Sequence, residues 1–238
     1  MEEQKRFTKQ LSALSVLFLI ALIAYILSMN TKQVVLVETK TEDKLTKIFV
    51  QIPKFQNFKN ENIQNELNNG IQEKVKKIVE EVKEIAEEVN KVEELRYPYQ
   101  AHISTEITYE GRDLISLVIY YYTFTGGAHG NTVFETYTID VKSGKILTLA
   151  DLFDGTCDYT KVIKDEIIKE IKSEEQDYYP EAIEYITQED FSNKAFTISK
   201  DGVQIRYQDY EIAPHSTGLP TFTIPWDKFA NCLKYTIK

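Results

Sequence analysis

The chain has 238 residues, of which 42% are hydrophobic and 27% charged. That is too apolar for disorder and long enough for one sizeable domain or two small ones. The formal charge is −9 and uneven: residues 1–10 carry a net +1, residues 11–30 none, and residues 31–238 hold 25 basic and 35 acidic side chains. So acidic a main body excludes nucleic acid, speaks against electrostatic capture of anionic lipid or wall polymer, and suits a cationic partner or no charged partner at all.

Residues 11–29 contain no charged side chain. As a helix they would measure about 28 Å, close to the hydrocarbon thickness of a bilayer. Lys5, Arg6 and Lys9 precede the run, which predicts a transmembrane signal anchor with residues 1–10 cytoplasmic and everything after residue 30 outside. A cleaved signal peptide is the alternative, with Ile26-Leu27-Ser28 a mediocre cleavage site. Cys157 and Cys232 are the only cysteines, both in the exported part. An oxidising exterior permits them to pair, but spacing does not decide between a bridge and two thiols.

Outside the anchor, residues 34–37 and 45–52 read as extended, ahead of Pro53. Ile63, Leu67, Ile71, Val75, Ile78, Val82, Ile85, Val89 and Val92 then recur at spacings of four and three. They predict a long helix with one apolar stripe. From Ile71 to Val92 the spacing is heptad-like, so the stripe either packs across a sheet or forms a homodimer seam. Tyr97-Pro98-Tyr99 ends the helix. A boundary there divides the exterior into a helix-rich segment, 31–96, and a hairpin-rich domain, 97–238.

Alternation from Ala101 to Tyr109, a turn at 110–113 and the run 114–124 predict a hairpin. Residues 132–141 make a third strand, turned at 142–145 into a fourth at 146–149. Helices are expected at 158–174 and 181–186. Residues 195–198 and 203–207 flank Asp201-Gly202 as another hairpin, 221–224 is a last strand, and 226–233 a closing helix. The fold class is α+β: an antiparallel sheet of hairpins with a long packed helix, preceded by one N-terminal transmembrane helix.

Chemistry-bearing residues concentrate in two loops. His129 stands in Gly126-Gly127-Ala128-His129-Gly130-Asn131, whose glycines permit positive φ and expose the imidazole. His215 stands in Tyr210-Glu211-Ile212-Ala213-Pro214-His215, and both loops leave a strand, so they could meet at one end of the sheet. His129, His215 and Glu211 would then form a two-His-one-carboxylate metal site. No HxxH, HxxxH or CxxC spacing supports this, and turn-shaping hydrogen bonds are the plainer role. His102 reads as an ordinary strand residue. No catalytic motif is present: neither GxSxG, a thiol-protease motif nor a phosphate loop. Tyr120 and Tyr122 share one strand face and Tyr121 takes the other, suiting a protein interface, sugar stacking or the wet rim of a sheet.

Two stretches carry a resemblance. One runs from Leu114 through Tyr122 and Gly126-Gly127-Ala128-His129-Gly130-Asn131 to Leu149-Ala150-Asp151-Leu152-Phe153; the other is Tyr210-Glu211-Ile212-Ala213-Pro214 with Phe222 to Pro225. Their order and spacing resemble a bacterial extracellular domain family found as the exterior of RsiV-type, lysozyme-sensing anti-sigma factors. The same family precedes the catalytic domain of PdaC-type peptidoglycan deacetylases. Residues 45–90 look like its companion segment. The short tail offers no sigma-binding segment and no deacetylase motif follows, so neither activity carries over.

The resemblance implies a non-catalytic, membrane-anchored exterior domain, without cofactor, that binds a lysozyme-like protein as decoy, inhibitor or sensor component. Tyr122, Gly126, Gly127, His129, Asn131, Tyr210, Glu211, Pro214 and His215 are its expected contact residues. A peptidoglycan-binding module is the alternative, and a metal-dependent hydrolase the next.

Overall fold

The computed structural model describes residues 32–229 and 232–237. The expected anchor and cytoplasmic tail lie outside them. Among the described residues no helix is long and apolar enough to cross a membrane.

Strands β1 (Val34–Glu42) and β2 (Thr46–Phe55) form a hairpin turned on Asp43, whose Oδ1 accepts from the Leu45 and Thr46 amides at 2.8 and 2.7 Å. β2 runs through Pro53 rather than stopping before it. Pro53 lies beyond Val50, the last residue paired to a second neighbour, where a missing N–H is tolerated. Helix α1 (Glu61–Asn90) starts where the Asn60 side chain accepts from the Asn62 and Ile63 amides. Strands β3 (Tyr99–Glu110), β4 (Leu114–Phe124) and β5 (Asn131–Asp140) complete a sheet in the order β1-β2-β3-β4-β5.

All neighbours in this sheet are antiparallel except β2 and β3, which run parallel with Thr46 beside Tyr99. This corrects the expectation of a sheet built only from hairpins. A helix of 30 residues spans about 45 Å, enough to carry the chain back to the end where β2 began and start β3 in the same direction.

One core lies between α1 and this sheet. Ile71, Val75, Val82 and Ala86 of the helix are buried with Ile48, Ala101, Ile103, Ile115, Leu117, Ile119 and Tyr121. The apolar stripe from Ile71 to Val89 thus packs across the sheet, the first of the two uses its spacing allowed. Val92, 89% exposed, stands past the helix end.

The second core gathers helices α2 (Tyr159–Ser173) and α3 (Ala182–Gln188) with the sheet β6 (Phe196–Ile198), β7 (Gly202–Arg206), β8 (Thr221–Pro225). Leu149, Phe153, Ile163, Ile167, Phe222 and Phe229 fill it. β2 and β3 are hydrogen-bonded across the expected boundary at 97, and the second core also takes Tyr109 and Leu114 from β3 and β4. β4 serves both halves: the Ser116 hydroxyl accepts from the Ile198 amide at 2.9 Å and bonds Thr138 at 2.8 Å.

Two further expectations change. Residues 146–149 contribute only a bridge, Ile146 to Ile139, before a 3-10 turn at Leu149–Leu152 in which Asp151 accepts from the Thr148 amide. The closing helix is reduced to a 3-10 turn at Trp226–Phe229, since Leu233 is drawn into a bridge with Phe153. Cys157 and Cys232 are joined by a disulfide with Cα atoms 5.8 Å apart. Loop-closure entropy over that span makes it worth about 4–5 kcal/mol.

Candidate functional site

Both predicted loops emerge at the same end of the five-stranded sheet and meet there. Gly126 and Gly127 take φ of +98° and +93°, values a side chain would strain. Gly130 lies under the Tyr122 ring so closely that any added Cβ would collide with it. This turn presents His129 outward, its Nδ1 donating to the Gly130 carbonyl at 2.9 Å.

The second loop follows β7. Ile212 and Ala213 are buried, the Ile212 carbonyl accepts from the Tyr179 amide at 3.0 Å, and Pro214 leads into a 3-10 turn at His215–Thr217. His215 stacks on His129 with ring centroids 4.3 Å apart and planes 18° from parallel. Tyr210 stacks on His215 at 5.7 Å. Tyr210 is 51% exposed and holds φ of +62°, an uncommon conformation for a bulky residue.

A carboxylate that sequence reasoning passed over underlies the stack. Asp209 Oδ2 accepts from His215 Nδ1 at 2.5 Å; the Asp209 side chain is 6% exposed and His215 40%. Asp209 Oδ1 is buried with no hydrogen-bond partner among the described residues. The only sequence signal was a carboxylate six positions before a loop histidine.

Glu211 does not join the histidines. Its Oε1 takes Lys194 Nζ at 2.7 Å and the Tyr185 hydroxyl at 3.1 Å, and its Oε2 takes the Gln208 amide at 2.7 Å. Lys194, 7% exposed, also pairs with Glu189 at 2.8 Å and sits 3.5 Å over the Tyr207 ring. The Tyr207 hydroxyl donates to Glu189, and burial with the adjacent Glu189 charge pushes its ionisation far above the ordinary range. Burial, aided by Glu211 and Glu189, lifts the Tyr185 phenol to about 12. Glu211 is thus a pin for the loop.

The metal reading fails on geometry. Stacked rings 4.3 Å apart and 18° from parallel keep their in-plane nitrogen lone pairs in separate, nearly parallel planes, a poor arrangement for sharing one ion. Among the described residues no group of three His, Cys, Asp or Glu is placed to hold a metal.

Gln208 ties this loop to the exposed edge of β5: its side-chain amide accepts from the Phe134 amide at 3.2 Å and donates to the Phe134 carbonyl at 3.0 Å. Arg206, also buried, donates to the Tyr120 hydroxyl at 2.8 Å. Tyr120 faces the second sheet while Tyr121 enters the first core, as the alternation predicted. His102, the register partner of Tyr122 on β4, stacks on Phe49 and not on the histidines of the loops. Beyond Gly126, a cavity of about 480 Å³ opens among Arg96, Tyr97, Tyr99 and Phe124. Asn131, exposed, begins β5 beside the turn. The result is an exposed ring stack on a rigid base, flanked by buried charges that fix the loop. It offers flat surfaces for contact.

This arrangement defines a class before it defines relatives: two α+β cores with a ring stack built by two loops at one pole. The profile of the family described as "Deacetylase PdaC" matches residues 39–132, and that of "Protein of unknown function (DUF3298)" matches residues 150–227. The first segment supplies most of the first core and the second most of the second. The chain is 26% identical over 214 residues to the anti-sigma-V factor RsiV of Bacillus subtilis strain 168, covering 85% of this chain and 70% of RsiV. It is 23% identical over 139 residues to the peptidoglycan-N-acetylmuramic acid deacetylase PdaC of the same organism, covering 57% of this chain and only 29% of PdaC.

The fold is shared with a DUF3298 family protein from Bacteroides fragilis NCTC 9343, with a TM-score of 0.59 at 18% identity, covering 87% of this chain and 95% of that one. A DUF3298 family protein from Pseudomonas aeruginosa PAO1 gives 0.55 at 16% identity, covering 84% and 94%. The likeness to RsiV and to the N-terminal region of PdaC, which the motifs implied, therefore holds.

Proposed function

We propose that the chain is a membrane-anchored, non-catalytic exterior domain that binds a soluble, cationic, lysozyme-like protein through the pole bearing residues 125–131 and 207–218. The observation that carries the proposal is the exposed stack of Tyr210, His215 and His129, built from two loops some 85 residues apart and fixed beneath by buried ion pairs. Flat, rigid aromatic rings give large contact area at low entropic cost, as at the centres of protein interfaces. The similarity to an anti-sigma factor over 85% of the chain supports a binding role, and the net negative body suits a basic ligand. Residues 11–29 supply the anchor in this reading, with the described domain outside the cell.

Calorimetric titration of the detergent-solubilised chain with lysozyme at two salt concentrations tests it. Binding that weakens as salt rises is expected. No heat at micromolar concentrations, with co-sedimentation on purified peptidoglycan instead, would transfer the surface to the glycan-binding alternative.

A further inference from the structure

The strand registers decide which features share each end of the five-stranded sheet. β2 and β3 run in one direction, β1 and β4 in the other, and β5 returns with β3. Val34, Phe55, the turn after Glu110 and Asp140 therefore lie at one end. Thr46, Tyr99, Phe124 and Asn131 lie at the other, with His129 and the ring stack. Strands of ten and eleven residues set these ends roughly 30–35 Å apart.

The chain joins the sheet at the end remote from the stack, and it is held there. The Lys32 carbonyl accepts from Gln56 Nε2 at 3.0 Å and from Asn57 Nδ2 at 2.9 Å. The Gln33 carbonyl accepts from the Gln56 amide at 2.9 Å. Only residues 30 and 31 separate this clamp from the apolar run 11–29, and two extended residues reach about 7 Å. That reach is the most by which the run and the clamp can be separated. Charge agrees: Asp113 and Asp151 at this end are held by Lys142 and Lys145, each at 2.7 Å. Lys32, Lys54, Lys59 and Arg112 offset Glu61, Glu110 and Asp140. In a body of net −10, this near-neutral end is the one that anionic headgroups repel least.

We propose that this end of the sheet is seated on the outer surface of the bilayer, holding the His129–His215–Tyr210 stack at the opposite pole, clear of lipid. The inference rests on the anchor reading of residues 11–29 and adds an orientation to it. A soluble macromolecule arriving from outside meets the stack first, whereas a ligand lying in the bilayer cannot reach it.

The test uses the full chain in phosphatidylglycerol–phosphatidylethanolamine vesicles doped with a headgroup-nitroxide lipid. Both native cysteines are in the disulfide, so Arg112→Cys and Ala128→Cys, at exposed positions on opposite ends, each give one dye site. Quenching at 112 should exceed that at 128 several-fold, and alanines at both Gln56 and Asn57 should shrink the difference. Equal or reversed quenching in a chain that resists alkaline carbonate would overturn the orientation while leaving the anchor. Release by carbonate would overturn the anchor reading and the inference with it.

Discussion

Asp209 and His215 show how one residue can matter more to binding than to folding. A carboxylate 6% exposed with one oxygen unpartnered is a cost to the folded state, since a buried charge needs full compensation. Asp209→Asn keeps the shape and removes the charge. The expected outcome is unchanged or raised thermal stability together with weaker partner binding, read by melting temperature and calorimetry on the same sample. A residue retained only for folding would give a lower melting temperature and unaltered affinity.

Glu135 behaves oppositely. Burial pushes its carboxyl up, but Lys74 at 2.5 Å and the Tyr121 and Tyr137 hydroxyls outweigh burial and hold it below the usual carboxylate range. A folded value below the unfolded one contributes stability above the ordinary range, and that stability is lost as pH falls through the folded value. Glu135→Gln should therefore flatten the loss of stability below about pH 4.3, measured by denaturant melts across the acid limb. An acid limb as steep as the parent's would remove Glu135 from this role. At this scale His129 and His215 were legible, because Gly and Pro mark the loops that expose them. The partners of Glu211 were not legible, because adjacency in a turn does not tell which side chain faces which neighbour. Asp209 stayed hidden because its role depends on burial.

Among elements, α1 was the most legible, since nine apolar positions at helical spacing have one physical reading. Its consequence was less so. A long helix between two strands is also a crossover, and that makes β2 and β3 parallel and pairs strands from either side of residue 97. The closing helix was over-read because propensity is local, whereas the Phe153–Leu233 bridge and the disulfide are not. The bridge ties the segment before α2 to the C-terminal stretch that covers the second core. Paired Cys157→Ser and Cys232→Ser should lower unfolding free energy by about 2–5 kcal/mol. The urea midpoint should fall, and more for the second core than the first in hydrogen exchange. A uniform effect on both cores would show that they unfold as one unit.

Taken whole, the molecule places charge, rings and chain direction along one axis. The N-terminal residues are clamped at one end of the sheet, the two cores are joined along β4, and the ring stack stands at the far pole. Composition and charge suggested the exterior setting and the partner class that the proposed function adopts. The meeting of residues 125–131 and 207–218 was legible only as a possibility, because it depends on Gln208 and Arg206 joining the second sheet to β5 and β4. Hydrogen exchange of the full chain with and without saturating lysozyme tests the central claim most directly. Slowed exchange confined to residues 125–131 and 207–218 is the expected result. Protection along α1 or the β1 edge instead, or none at saturation, would contradict it.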